Sequence, residues 1–183
     1  MSKFIALLRG INVSGQKQIK MSDLKSLFED LNFTSVQTYI QSGNVIFESK
    51  TDDLKSLVGK IEKKIKEKFS FDVKVILKTF AELEYILNNN LFLKKQKANS
   101  DFAYVTFLSE EPSTISIKKL KEINYNPEEY FIVSKTIYVF LPNGYGRAKL
   151  NNNFFESKLK VMATTRNWKT VNKLYELSKS NSL

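Results

Sequence analysis

The chain has 183 residues, with 29 Lys+Arg against 19 Asp+Glu for a formal net charge of +10, 14 Phe and 8 Tyr, and neither Cys nor His. An apolar share of 42% is enough for a sizeable buried core, in one large domain or two small ones. The missing residue types exclude disulfides, thiolate nucleophiles, imidazole bases and most zinc, copper or haem sites, so neither a metal nor a cofactor is expected.

Charges interrupt every long apolar stretch, and the start of the chain is too short for a secretory leader. A cytoplasmic protein with no membrane association is therefore expected. The positive charge reads in two ways: as solubilising lysines in a Lys-, Asn- and Ile-rich composition, or as a surface for anions.

Lys3 to Arg9 reads as a buried strand, since Ile5, Leu7 and Leu8 sit in a near-continuous apolar run. After a polar loop, Met21, Leu24, Leu27, Phe28 and Leu31 recur at three- and four-residue spacing, which predicts a helix with Ser22 as its N-cap. Ser35 to Ile40 alternates and Asn44 to Glu48 follows as a strand, so Gln41-Ser42-Gly43-Asn44 is a tight hairpin turn. Leu54, Leu57, Val58, Ile61 and Ile65 define a second helix, opened by Asp52 and Asp53, whose charge suits its positive end. Asp72 to Leu77 is a fourth strand. The order β-α-β-β-α-β over residues 1–78 is the ferredoxin-like arrangement, an antiparallel sheet with two helices on one face.

Thr79-Phe80-Ala81-Glu82 fits a capping box ahead of Leu83, Ile86 and Leu87. Residues 79–100 then read as a connecting helix and a polar linker through Asn88-Asn89-Asn90 and Lys94-Lys95-Gln96-Lys97. The same order returns over residues 101–183. It runs as strand Phe102 to Leu108, helix Ser116 to Ile123, and hairpin Tyr130 to Ser134 with Thr136 to Leu141. Helix Asn151 to Lys158, a short strand Val161 to Ala163 and a closing helix from Asn167 to Lys179 follow. The expected fold class is α+β, two ferredoxin-like (β-α-β-β-α-β) subdomains packed together, with mainly antiparallel sheets. On the first sheet's open face, Ile5, Leu7, Tyr39 and Ile46 read as an interface for the second subdomain, without the aromatic set of an RNA-recognition sheet.

In this topology the first and second strands are parallel with the third between them, so the loop of residues 9–20 and the turn Gln41 to Asn44 meet at one edge. The first helix points its N-terminus there, where free N–H groups favour an anion. Arg9, Lys17 and Lys20 add charge, while Asn12, Gln41, Ser42 and Asn44 add neutral donors and acceptors, a set that suits phosphate or carboxylate. Turn chemistry alone accounts for the same residues, because glycine in a loop and Ser-Gly-Asn in a hairpin are what turns require.

Two later stretches join the candidates. Tyr145 and Arg147 stand in a Gly-rich segment that matches neither the Walker A nor the dinucleotide fingerprint. Arg166, Asn167 and Trp168 open the last helix, with Thr165 as its N-cap; an arginine exposed at a positive helix end points to a facing anion, and Trp168 reads equally as a packing anchor. No catalytic constellation emerges, since the acidic residues are scattered among lysines on helices.

The stretches FIALLRGINVSGQKQIK from Phe4 to Lys20, then MSDL, TYIQSGNVIF and TTRNWKTV, resemble the bacterial family known as domain of unknown function 1697 over nearly the whole chain. That family commonly has Gly at the position of Ser14. The resemblance implies a bacterial, intracellular protein of two ferredoxin-like subdomains, with no established activity, substrate or cofactor. It places shared polar motifs on Arg9, Asn12, Lys20, Gln41, Ser42, Gly43, Asn44, Thr165, Arg166, Asn167 and Trp168. Three functions are compatible with these residues. The favoured one is non-catalytic binding of an anionic partner, nucleic acid or a phosphorylated metabolite. The others are an enzyme acting on a phosphorylated or acyl-phosphate small molecule through oxyanion stabilisation, and a protein-interaction module.

Overall fold

The strand-forming runs of the first half assemble as β1 (Ser2–Leu8), β2 (Thr34–Tyr39), β3 (Asn44–Ser49) and β4 (Val75–Thr79), an antiparallel sheet in the order β2-β3-β1-β4. Strand β1 is central, with Leu7 opposite Asn44 on β3 and Leu8 opposite Val75 on β4. The computed structural model that gives this architecture describes residues 1–94 and 99–179; Lys95-Gln96-Lys97 of the expected linker lies outside the described residues.

Period-two alternation sends Phe4, Ala6 and Leu8 of β1 and Val45 and Phe47 of β3 to one face, where α1 (Met21–Asp30) and α2 (Leu54–Phe69) cover them. Phe47 is the centre of that core, with ring centroids 4.5 Å from Phe33, 5.2 Å from Phe28 and 5.7 Å from Phe4. Each fully buried side chain of this size stabilises by about 1.5–3 kcal/mol. Asp53 caps α2 by accepting from the N–H groups of Lys55 and Ser56.

The second half repeats the plan. Strands β5 (Ala103–Leu108), β6 (Glu129–Val133), β7 (Thr136–Phe140) and β8 (Ala163–Asn167) lie in the order β6-β7-β5-β8, with α5 (Thr114–Lys121) and α6 (Asn152–Leu159) on one face. Three hydrogen bonds recur between the copies. Leu8 N–H donates to Gly43 O at 2.8 Å and Leu108 N–H to Lys135 O at 2.9 Å. Arg9 N–H donates to Lys74 O and Ser109 N–H to Met162 O. A helix glutamate, Glu62 or Glu156, accepts at 2.9 Å from the first N–H of the last strand, Val75 or Ala163. The expected capping box is also present, with Glu82 N–H on Thr79 Oγ1 and Thr79 N–H on Glu82 Oε2, and it opens α3 (Phe80–Asn88). The short α4 (Leu91–Lys94) follows, and α7 (Trp168–Lys179) comes after β8.

Two local expectations are corrected. Ser22 does not cap α1: the N-cap is Lys20, with no side-chain cap, because Asn12 holds the preceding Ile19 and so fixes where the helix begins. The last strand is Ala163–Asn167 and not Val161 to Ala163, so Thr165 and Arg166 belong to a strand, and Arg166 is buried instead of exposed at a helix start. A polar run sits in a sheet here because its side chains satisfy one another, Thr165 Oγ1 lying 2.7 Å from both Thr106 Oγ1 and Asn152 Oδ1. The cap of α7 is Asn167, which accepts from Thr170 N–H at 2.8 Å.

Contacts divide the chain into two units, Met1–Glu84 together with the segment from Lys173, and Tyr85–Asn172. Within unit 1, Lys3 Nζ donates to Ser178 O at 2.6 Å and Phe80 stacks on Tyr175 at 4.9 Å. Within unit 2, the buried Tyr138 hydroxyl donates to Ile86 O at 3.1 Å. Among the described residues no helix is long and apolar enough to cross a membrane.

Candidate functional site

Comparing the two copies isolates what the first one adds. Unit 2 passes from β5 to α5 through five residues, 109–113, while unit 1 takes twelve, 9–20, between β1 and α1. The short loop has no residue at positive φ, whereas Asn12, Ser14 and Lys17 of the long one are non-glycine residues at φ 54°, 50° and 45°. Left-handed backbone of this kind costs about 1–2 kcal/mol per residue, less for asparagine. The long loop also sends Ile11 and Ile19 into the core of unit 1, an addition that the sheet of unit 2 forms without.

Asn12 holds the loop in place. Its Oδ1 accepts from Ile19 N–H at 2.8 Å, and its Nδ2 donates to Ile19 O and to Gln41 O, both at 2.9 Å. One carboxamide thus ties the far end of the loop to the β2–β3 turn, which makes the two polar segments neighbours. Both of its amide hydrogens are engaged by the chain itself.

The turn is equally specified. Gly43 has φ 77°, and a Cβ there would lie 2.7 Å from Ile11 Cδ1 and 2.9 Å from Leu8 Cβ, so only glycine fits. Asn44 is fully buried, with Nδ2 donating to Tyr39 O and Ser42 Oγ at 3.0 Å. Ile40 sits at φ 47°, an unusual conformation for a β-branched residue, and is 46% exposed. Arg9 N–H donates to Lys74 O, and Lys17 Nζ donates to Asp72 O at 2.6 Å. Asp72 also faces Lys66 at 2.9 Å, whose hydrogen bond and charge hold its carboxyl below the ordinary value.

Loop, turn and helix start together line an open hollow of about 810 Å³. Asn12, Gly15, Gln18 and Ile19 come from the loop, and Gln41 from the turn. Lys20, Met21, Ser22 and Asp23 come from the beginning of α1, and Phe69 from the end of α2. Arg9, Lys17, Ser42 and Asn44 shape the surroundings and stand outside this lining. Gln18 and Phe69 escape a sequence reading: Phe69 closes the second helix of a regular apolar series, and nothing in its spacing marks it as different from a core residue.

Lys20 is exposed, and its Nζ makes no hydrogen bond or ion pair among the described residues. The helix it precedes is the exception in its own chain. Side chains of Asp53, Thr79, Asn90, Ser113, Asn151 and Asn167 cap α2 to α7, and among the α-helices of the described residues only α1 begins without a side-chain acceptor for its first N–H groups.

The remaining candidates belong to unit 2, and all but Arg147 are held by their own surroundings. The Tyr145 ring lies 5.6 Å from Tyr104, and its hydroxyl accepts from Asn152 N–H at 3.2 Å. Arg147 is exposed. The N–H groups of the nearby Lys149 and Leu150 donate to the buried Glu128 carboxylate at 2.9 and 2.8 Å. Arg166 Nη1 donates to Thr164 Oγ1 and Thr165 O at 2.9 Å, and Trp168 is buried. Arg166 takes the same place in β8, opposite Val105, that the buried Lys78 takes in β4, opposite Ile5. No group of three or more metal-ligating side chains occurs among the described residues.

The sequence profile of a family described as protein of unknown function (DUF1697) matches residues 1–138. No curated protein matches the chain. Among solved structures, a conserved bacterial protein, SP0830 from Streptococcus pneumoniae, is similar with a TM-score of 0.69 and 23% identity, over 97% of this chain and 99% of that one. The likeness is one of fold.

Proposed function

The chain belongs to the DUF1697 family of proteins of unknown function, and on the geometry of its first unit we propose that it binds a small molecule bearing a phosphate or carboxylate group in the hollow at the start of α1. One observation carries the reading: the only α-helix among the described residues that starts without a side-chain cap opens on an unpaired lysine that lines the hollow. A cation at the positive end of a helix is unfavourable by about 0.3–1 kcal/mol, and an anion seated there relieves both the lysine and the bare N–H groups. The strained twelve-residue loop supports the same reading, since backbone strain concentrates where a function requires it.

The roles follow from position. Lys20 and the N–H groups of Met21 and Ser22 take the anionic group, Gln18 and Gln41 offer amides to its substituents, and Met21 and Phe69 give an apolar wall. Asp23 lines the same hollow and adds a negative charge beside the site.

Lys20→Asp separates this proposal from its rivals, because one change moves two readouts in opposite directions. Lys20 already has the extended backbone of an N-cap, so aspartate there supplies the missing cap. The ligand-free protein should gain about 0.5–1 kcal/mol. In a thermal-shift panel of orthophosphate, nucleotides, sugar phosphates, carboxylic acids and short oligonucleotides, a ligand at about 100 times its Kd adds roughly 2.7 kcal/mol to the wild type. The same ligand should bind Lys20→Asp at least about tenfold more weakly, the equivalent of 1.4 kcal/mol. A ligand that binds both proteins equally, or a panel without response, overturns the reading. A response to oligonucleotides alone moves the ligand class to nucleic acid.

A further inference from the structure

Unit 2 carries a second concavity that owes nothing to the loop edge. Between α5 and α6 runs a groove of about 470 Å³, with buried Leu120 in its lining and Ile115 and Ile123 standing 68% and 46% exposed. Single exposed isoleucines are ordinary, but two of them on one groove are a contact surface.

The charge around them is mostly positive. Lys119, Lys158 and Lys160 line the groove, Lys118 and Lys121 stand on the same helix α5, and all five are exposed. None of their ammonium groups makes a hydrogen bond or ion pair among the described residues, and Glu122 is the one acidic side chain in the lining. The equivalent helices of unit 1 are different. There Lys25, Lys63, Lys66 and Lys68 each have a carboxylate within 4.0 Å. Four helix lysines of unit 1 are thus paired, while Lys55, Lys60 and Lys64 of α2 are not, whereas all five lysines around the unit 2 groove stand without a counter-charge beside apolar side chains.

We propose that this groove docks an acidic amphipathic helix from a partner protein, its apolar side chains against Ile115, Leu120 and Ile123 and its carboxylates toward the lysines. Concavity between two helices and charge complementarity select this occupant. No aromatic side chain lines the groove to stack a base, two isoleucines are too little apolar surface to hold a bilayer, and a second copy of a chain with net charge +10 brings the wrong sign.

The test titrates a synthetic helix of about 16 residues, Leu at positions i, i+3, i+4 and i+7 and Glu elsewhere, into the isotope-labelled full-length protein. A scrambled peptide, phosphatidylserine vesicles and an oligothymidylate serve as comparisons. Expected are amide shifts confined to residues 114–123 and 157–160, and a Kd that rises at least about tenfold between low and high salt. Ile115→Ser with Ile123→Ser should weaken binding about tenfold while leaving the unfolding midpoint in place, since both side chains are exposed. The proposal is overturned if the peptide shifts nothing, if the scrambled peptide binds as well, or if vesicles or oligothymidylate shift this groove and the peptide does not.

Discussion

Gly43 is where a single methyl group does the most damage. Its positive φ and the 2.7 Å approach of Ile11 act together, so Gly43→Ala should destabilise by about 2–4 kcal/mol, as a fall in the urea midpoint with an unchanged slope. A loss under about 0.5 kcal/mol would mean that Ile11 and the turn move aside. The asparagines beside it teach a related lesson. In the sequence Asn12 and Asn44 are free polar groups in turn-like surroundings, and ligand contacts are a natural reading. In the fold their amide hydrogens are on backbone and side-chain oxygens of the same edge, because a contorted loop leaves carbonyls that water cannot fully serve. Lys20 shows the opposite case. Its place in the loop of residues 9–20 suggested charge at the edge, but its position at an uncapped helix start depends on the Asn12–Ile19 clamp, which no local pattern announces.

Among the elements, those with strong local signals were legible. The apolar series of α1 and α2, the two hairpins and the Thr79–Glu82 box all follow from spacing and turn chemistry. Strand β8 was placed too early because Thr-Thr-Arg-Asn carries no hydrophobic alternation; its sheet membership rests on threonine pairs and a buried arginine contributed by long-range partners. The capping box also gives unit 1 a pH response. Burial opposes ionisation of Glu82, but Lys78 at 2.9 Å and the Thr79 donors outweigh it and hold the carboxyl below its ordinary 4.5. The unfolded chain therefore binds more protons, so this stabilisation is present above about pH 4.5 and fades as the pH falls through the lower folded value. Glu82→Gln should lose about 1–3 kcal/mol at neutral pH, limited by solvent screening of a carboxylate that is 41% exposed. The gap from wild type should narrow below about pH 4.5 in urea titrations taken from pH 7 to 3. Curves that stay parallel would show that the pair contributes through packing alone.

At the scale of the molecule, the duplication was legible because element order survives divergence: two antiparallel sheets with the same strand order share three equivalent hydrogen bonds. Membership of the segment from Lys173 in unit 1 was not, since it rests on contacts such as Lys3 to Ser178, 175 residues apart. Ending the chain after Asn172 removes Leu174, Tyr175 and the Ser178 acceptor from that unit. Such a protein should bind a hydrophobic dye and unfold without a sharp transition; cooperative unfolding at the wild-type midpoint would count against this. The same feature sets a schedule for synthesis. Residues 85–172, 88 in all, separate the two parts of unit 1, and at about 5–20 residues per second their translation takes roughly 4–18 s. For those seconds unit 1 waits beside the ribosome without Leu174, Tyr175 and the Ser178 acceptor, a client for whatever shields emerging polypeptides.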